Sequence, residues 1–310
     1  MTGGLPDRPA ASRPFVDRPV VDVDAARRAA SAALTTWGLP AEVELLRVGM
    51  NALFAVPGEP AVVRVGHATA PAAAAHRLVA RLAGAGIPTP APIDGWAADV
   101  GGFAVTGWDR VRTTRQAVRW EAVGEAVRAV HGLVPTIVPT DYPLPSPVSF
   151  PWWKFPALLD DVGGELDPAA RAGIEAAVER AEGWAAAVSC DPVVCHGDVH
   201  PGNVLASARG PLLMDWDLVC TAGPAWDHAA LITWADRWGG DPGLYARFAA
   251  GYGRSFVDDA LARSLGELRN VAATLMRVRA GRTDAAAAAE AEQRLRFWRG
   301  DHGAPPWRAQ

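Results

Sequence analysis

The chain has 310 residues, half of them hydrophobic, and its formal net charge is −4. This length permits a sizeable buried core and room for two lobes or one large domain, as in many globular enzymes. Acidic and basic residues are interspersed, which argues against a nucleic-acid groove or a polybasic membrane surface.

No segment predicts export or membrane insertion. The first twenty residues lack the apolar run of about 7 to 15 residues that a secretory signal needs. No later run approaches the roughly 18 apolar residues of a membrane span. The cysteines Cys190, Cys195 and Cys220 form no CxxC pair and fit reduced thiols. We therefore expect a cytoplasmic protein whose partner is a small molecule, not a nucleic acid or a membrane; the oligomeric state stays open.

The N-terminal third predicts mixed α and β structure. Residues 1–20 are expected to be a flexible arm, and residues 21–110 an N-terminal nucleotide-binding lobe. A helix is predicted after Asp22 or Asp24, ending at Gly38. An antiparallel meander, a second helix and another apolar strand should follow, over 43–48, 53–56, 61–66, 72–83 and 101–109.

The remaining residues, 111–310, predict a mainly helical C-terminal catalytic and substrate-binding lobe, with the boundary near 108–113. Between the first two helices lies a Pro-rich stretch, 134–155, which is long for an inert loop and is expected to be functional. Apolar periodicity predicts helices over 113–132, 168–189, 225–238, 241–254, 258–280 and 283–298.

The residues with the clearest chemistry lie in "VCHGDVHPGNV" (194–204) and "MDWD" (214–217). One interpretation is a metal-dependent hydrolase with His196, Asp198 and His200 as ligands, since alternate residues of a strand share a face. Pro201 and Gly202 argue for a loop instead, and the other histidines form no second cluster.

The second interpretation, phosphoryl transfer, uses more of these residues. His196, Asp198 and Asn203 have the H-x-D-x-x-x-x-N spacing in which protein kinases use the aspartate as catalytic base and the asparagine on magnesium. "VLAS" and "PLLMD" predict a hairpin that returns Asp215 to the same place. Magnesium keeps several waters, so one carboxylate and one amide beside the triphosphate suffice.

Together, "HGDVHPGNVL", "LLMDWD" and "GPAWDHA" closely resemble the signature of the aminoglycoside phosphotransferase family. Upstream, "RVGMNALFAV" and "AVVRVG" are similar to its nucleotide-binding strands, so the resemblance spans about residues 43–235. It implies an α+β, bilobal protein-kinase-like fold with a small antiparallel-sheet N-terminal lobe and a larger, mainly helical C-terminal lobe. The implied activity is ATP- and Mg2+-dependent phosphorylation of a small-molecule hydroxyl, with GTP as an alternative donor.

The resemblance also implies residue roles, position by position. Asp198 would be the catalytic base or the group that orients the acceptor hydroxyl, in a loop held by His196. The implied magnesium ligands are Asn203 and Asp215, and the implied supporting acids are Asp217 and Asp227.

The implied nucleotide site departs from the protein-kinase pattern. The positively charged residue on the strand that would contact the phosphates is Arg64, where protein kinases have lysine. Lys154 is the sole lysine in the chain. No acid occurs between residues 66 and 92, and the expected partner position carries His76. The open alternatives are a looser nucleotide grip, an arginine positioned by phosphates and backbone, and a nucleotide-binding pseudokinase. The other predicted nucleotide-binding residues are Met50, Asn51 and Trp108.

Aromatic and acidic residues of the second lobe are the candidate acceptor site. Aromatic rings beside carboxylates suit a cationic amine, such as a cationic antibiotic or an amino sugar. Most of the thirteen tryptophans are nevertheless expected to serve packing. The candidates are Trp152, Trp153, Asp160, Asp161, Trp234, Asp236 and Trp238.

Overall fold

The computed structural model describes residues 19–301 and 303–308. Almost all of the predicted N-terminal arm, residues 1–20, lies outside this part of the chain. No helix within it is both long enough and apolar enough to cross a membrane. The cytoplasmic location stays a prediction.

Helices and strands follow the order predicted for a kinase-like fold. The helices are α1 Val23–Thr36, α2 Ala72–Gly84, α3 Trp120–His131, α4 Phe155–Val162, α5 Pro168–Arg180, α6 Trp184–Ala187, α7 Ala225–Ile232, α8 Trp234–Trp238, α9 Leu244–Tyr252, α10 Ala260–Ala280 and α11 Ala285–Trp298. The strands are β1 Glu44–Val48, β2 Ala52–Ala55, β3 Ala61–His67, β4 Pro92–Val100, β5 Phe103–Asp109, β6 Val193–Cys195, β7 Val204–Ser207, β8 Gly210–Leu213 and β9 Cys220–Ala222.

Backbone contacts divide the chain into two compact units, and each is discontinuous. The N-terminal unit takes the residues through Val118 together with 132–145 and 204–219. The C-terminal unit takes 119–131, 146–203 and the residues from Cys220 on. The continuous domain ranges drawn from the sequence stay a prediction.

The N-terminal unit contains a five-stranded antiparallel sheet in the order β1-β2-β3-β5-β4. Helix α1 begins where predicted because the Asp22 carboxylate accepts the N–H of Ala25 at 2.8 Å. Its alanine-rich face packs on the sheet around the fully buried Phe54 and Val63. The predicted hairpin forms as β7 and β8 and belongs to this unit.

The C-terminal unit is built on closely packed helices. Helices α3 and α9 approach until a Cβ atom added at Gly124 or Gly251 would collide with the backbone of the other helix. Glycine at these positions permits the contact. The longest helix, α10, packs against α7, α5 and α11. Strands β6 and β9 form a two-stranded antiparallel sheet.

Three predicted helices differ from the structure by more than a few residues or are divided. The helix predicted over 113–132 begins only at Trp120, because Thr113 forms a β-bridge with Ser207 and keeps its segment extended. The helix predicted over 168–189 ends at Arg180, since Gly183 has a φ of +85° and starts the separate α6. The helix predicted over 225–238 divides into α7 and α8.

Candidate active site

The loop that follows β6, residues 196–203, carries the catalytic candidate and lies in the C-terminal unit. Its second residue, Gly197, has a φ of +92°, which favours glycine and turns the chain out of the strand. Asp227 of α7 accepts the backbone N–H groups of both His196 and Gly197 at 2.8 Å. Two short bonds to one carboxylate hold the start of the loop.

Asp227 also forms a buried ion pair. Its Oδ2 lies 3.0 Å from His131 Nε2, and both side chains are almost inaccessible to solvent. Burial alone would lower the pKa of His131, but the hydrogen bond that His131 donates to Asp227 overrides it and raises the pKa to about 10. Burial likewise opposes ionisation of Asp227, and His131 lowers its pKa below the ordinary value. The pair is therefore charged at neutral pH.

Asp198 lies at the centre of a second group of contacts. Asn203 Nδ2 donates to the Asp198 carbonyl at 2.9 Å and to its carboxylate at 3.0 Å. Arg269 of α10 forms an ion pair with the other carboxylate oxygen, and His200 Nε2 lies 3.4 Å from the first. Burial alone would raise the pKa of Asp198, but His200 and Arg269 hold it well below the usual range. The carboxylate is ionised and oriented.

Arg269 is a contact that sequence reasoning missed. It lies 71 residues after Asp198, on a helix whose arginines show no local sign of a site. Helix α10 packs against α7, the helix that carries Asp227.

The loop does not present His196, Asp198 and His200 as a metal site. His196 Nδ1 accepts the backbone N–H of Asp198, and His200 Nδ1 accepts that of Gly202 at 3.0 Å. Within the part of the chain that the structure describes, the ligand atoms that converge within 4.8 Å belong to His131, Cys195 and Asp227. Those three groups are buried, and two of them, His131 and Asp227, already form the ion pair described above.

The acceptor candidates occupy different environments in the C-terminal unit. Trp234 stacks on His200 at a ring separation of 5.3 Å, and Trp238 stacks on Trp234 at the same separation. Trp153 is buried against Trp226 and Trp184 and serves the core.

The remaining candidates are polar or partly exposed. Asp161 is paired with Arg282 at 2.9 Å. Trp152 is partly exposed and packs against Phe150. The carboxylates Asp160 and Asp236 are exposed.

In the N-terminal unit, Arg64 of β3 has two acidic neighbours. It forms an ion pair with Asp217 and another with Asp215 at 3.3 Å. Burial alone would lower the pKa of Arg64, but Asp217 and Asp215 raise it above its ordinary value. The alternatives drawn from the sequence named no acid beside Arg64; the structure places Asp215 and Asp217 of the "MDWD" segment there, in place of an acid from the helix after β3.

His76 is not a partner of Arg64. Its buried ring lies beside Trp108, with ring centres 5.7 Å apart. Burial lowers the pKa of His76, so the ring is neutral at pH 7. Trp108 donates its indole N–H to Thr106 at 2.9 Å. Met50 is exposed, whereas Asn51 turns toward Arg64.

Each of the two predicted magnesium ligands, taken by itself, has an oxygen of the kind that suits this ion. Asn203 uses its amide nitrogen on Asp198, which leaves the carbonyl oxygen for a cation. The Asp215 side chain is 41% exposed. Hard amide and carboxylate oxygens are the ligands that Mg2+ prefers.

Comparison with known proteins identifies the family. The sequence model of the phosphotransferase enzyme family matches residues 51–268, which is more than half of the chain. No curated protein matches the sequence.

Several solved structures share the fold. Spectinomycin phosphotransferase APH(9)-Ia, in complex with ADP and spectinomycin, is 16% identical with a TM-score of 0.63, covering 84% of this chain and 92% of that one. The GDP and kanamycin complex of APH(2")-IIia is 16% identical with a TM-score of 0.65, covering 84% and 93%. A choline/ethanolamine kinase family protein from Mesorhizobium loti is 17% identical with a TM-score of 0.63, covering 91% and 95%. These likenesses confirm the predicted kinase-like fold class.

Proposed function

Because the chain belongs to the phosphotransferase enzyme family, we propose that it transfers the γ-phosphoryl group of a nucleoside triphosphate to a hydroxyl group of a small molecule. The observation that carries this proposal is the ionised Asp198 carboxylate, held by Arg269 and by the amide of Asn203. A fixed carboxylate can align a hydroxyl and receive its proton.

In the proposed reaction, the acceptor oxygen forms a bond to the γ-phosphorus while the bond to the β-phosphate oxygen breaks. Asp198 takes the hydroxyl proton as that bond forms. Arg64 contributes a permanent charge toward the nucleotide phosphates, because an arginine stays protonated at any working pH. A magnesium ion held by Asn203 and Asp215 would neutralise phosphate charge.

The donor is proposed to be ATP, with GTP as the alternative. Similar folds were solved with ADP, AMP and GDP. The choice of base is a property of each of those proteins, so both nucleotides belong in any assay of this one.

For the acceptor, we propose a cationic small molecule such as an aminocyclitol or amino-sugar antibiotic. Two fold neighbours were solved with spectinomycin or kanamycin. In this chain the exposed carboxylates Asp160 and Asp236 and the partly exposed ring of Trp238 offer ion pairing and cation–π contact. Asp161 is already paired with Arg282, and Trp153 is buried, so neither is assigned to the acceptor.

A phosphotransfer screen tests the proposed function. The purified protein is incubated with ATP or GTP, magnesium and one acceptor class at a time: aminoglycosides, macrolides, amino alcohols or sugars. Acceptor-dependent release of nucleoside diphosphate is the expected result. Nucleotide binding without turnover on any class would instead support a pseudokinase.

We expect Asp215→Ala to weaken magnesium-dependent nucleotide binding by about tenfold or more, since the cation loses a carboxylate ligand. Calorimetric titrations with ATP, with and without magnesium, measure the effect. Asp141→Asn is the matched control, because Asp141 pairs with Arg77 on the surface of the same unit. If Asp215→Ala keeps the wild-type magnesium dependence, Asp215 is not a metal ligand.

A further inference from the structure

Arg64 lacks the acidic partner that protein kinases place on the helix after the cation-bearing strand. In those enzymes a glutamate of that helix pairs with the strand lysine, and the pair must be formed for activity. Here the corresponding helix, α2, contains no aspartate or glutamate, and its His76 lies against Trp108. If Arg64 binds the nucleotide phosphates, a group outside α2 has to fix the position of its guanidinium.

Asp217 makes the contacts that such a group needs. Its Oδ1 accepts Arg64 Nη1 at 3.2 Å, and its Oδ2 accepts Arg64 Nη2. Each carboxylate oxygen therefore accepts a hydrogen bond from one of the two terminal nitrogens, the fork geometry in which arginine and carboxylate bind most strongly. The position of the guanidinium and its orientation are both fixed.

The contact with Asp215 is weaker. Asp215 offers one oxygen to Arg64 Nη2, at 3.3 Å, and its side chain is 41% exposed, against 33% for Asp217. A single long contact is easily exchanged when a divalent cation competes for the carboxylate. The two acids of "MDWD" thus differ in how firmly they hold the arginine.

Asn51 supports the guanidinium from another side. In the amide orientation that satisfies both residues, its oxygen accepts Arg64 Nη2 at 2.7 Å and Nε at 3.3 Å. The amide crosses β3 at Gly66, where a Cβ atom would collide with it. A glycine at this position of the strand therefore allows Asn51 to reach Arg64.

We propose that Asp217 is the positioning residue for Arg64 and takes the role of the missing helix acid, with Asn51 as a second support. Asp215 keeps its proposed role as a metal ligand. This inference rests on the proposed function, and it assigns different tasks to two acids that are two residues apart.

Isosteric variants separate the two acids. Asp217→Asn keeps the shape of the side chain and removes its charge, so nucleotide affinity should fall by about 10- to 100-fold, as expected for a lost charge-assisted contact. The magnesium concentration for half-maximal binding should stay at the wild-type value. Asp215→Asn should instead raise that magnesium concentration. Calorimetry with magnesium titrated at fixed ATP measures both quantities.

A double-mutant comparison tests whether Asp217 acts through Arg64. Arg64→Gln alone should weaken ATP binding, and adding Asp217→Asn should weaken it little further, because the shared contact is already lost. Thermal unfolding of every variant shows whether the fold is kept, and Asp141→Asn should bind ATP like the wild type.

Three results would overturn this inference. The first is wild-type ATP affinity in Asp217→Asn, and the second is additive losses of ATP affinity when Arg64→Gln and Asp217→Asn are combined. The third is a raised magnesium requirement in Asp217→Asn, which would make Asp217 a metal ligand. In each case wild-type protein still transfers phosphate. Failure of the proposed function is distinct, since no acceptor is then phosphorylated by the wild type.

Discussion

Replacing Asp198 with asparagine is expected to lower kcat by about 10²- to 10⁴-fold, the range attributed to a positioned acid–base group. The asparagine keeps the size of the side chain and an oxygen for the Asn203 amide, but it removes the charge that faces Arg269. A hydroxyl in the acceptor position would then lose the group that aligns it and takes its proton.

Nucleotide affinity in Asp198→Asn should remain close to the wild-type value, because the proposed mechanism assigns this carboxylate to the acceptor hydroxyl and not to the nucleotide. Steady-state kinetics on the acceptor found in the screen give kcat, and calorimetry gives the nucleotide Kd. Asp258→Asn, at a side chain that is 97% exposed, is the matched control. A variant that retained wild-type kcat would remove Asp198 from the mechanism.

The second large effect concerns stability. Asp227→Asn should lower the free energy of unfolding by about 3 to 5 kcal/mol, the usual consequence of leaving a buried charge without its partner. His131 would lose the carboxylate that offsets the cost of burying its charge, and the loop N–H groups of His196 and Gly197 would lose their charged acceptor. Denaturant unfolding of both proteins measures the difference.

The pH dependence of this difference has a definite sign. The pKa of His131 rises from 6.5 to about 10 on folding, so its stabilisation is fully present below pH 6.5 and is lost as pH rises through about 10. The pKa of Asp227 falls from 3.8, so its stabilisation is present above pH 3.8 and is lost in stronger acid. The difference in free energy of unfolding between wild type and Asp227→Asn should be largest from pH 3.8 to 6.5, where both groups stabilise the wild type. If this difference stays constant up to pH 10, a charged His131 is contradicted.

Local signals predicted most of the secondary structure. Asp22 marks the first helix because a side-chain cap acts within three residues, and four of the five strands of the first sheet follow from short apolar runs between turns, whereas β4 was not predicted. The failures involve distant partners. Nothing in residues 113–119 reveals that Thr113 pairs with Ser207, because such a bridge depends on the hairpin being in place.

In the candidate site, too, contacts between residues close in sequence were predictable and contacts between distant residues were not. The spacing of Asp198 and Asn203 made their association predictable, and the structure brings them into contact. The partners of Arg64 were not predictable from position, since Asp215 and Asp217 lie more than 150 residues away in sequence. Arg269 was equally hidden, because one arginine among many on a helix carries no periodic or spacing signal.

The central claim is phosphoryl transfer to a small molecule, and isotope transfer tests it most directly. The protein is incubated with γ-labelled ATP or GTP, magnesium and a pool of acceptors, and the label is then followed by chromatography. We predict label in a small-molecule phosphate ester, formed by wild type and nearly absent with Asp198→Asn. Label that stays in the nucleotide, or appears only as inorganic phosphate with every acceptor, would contradict the claim.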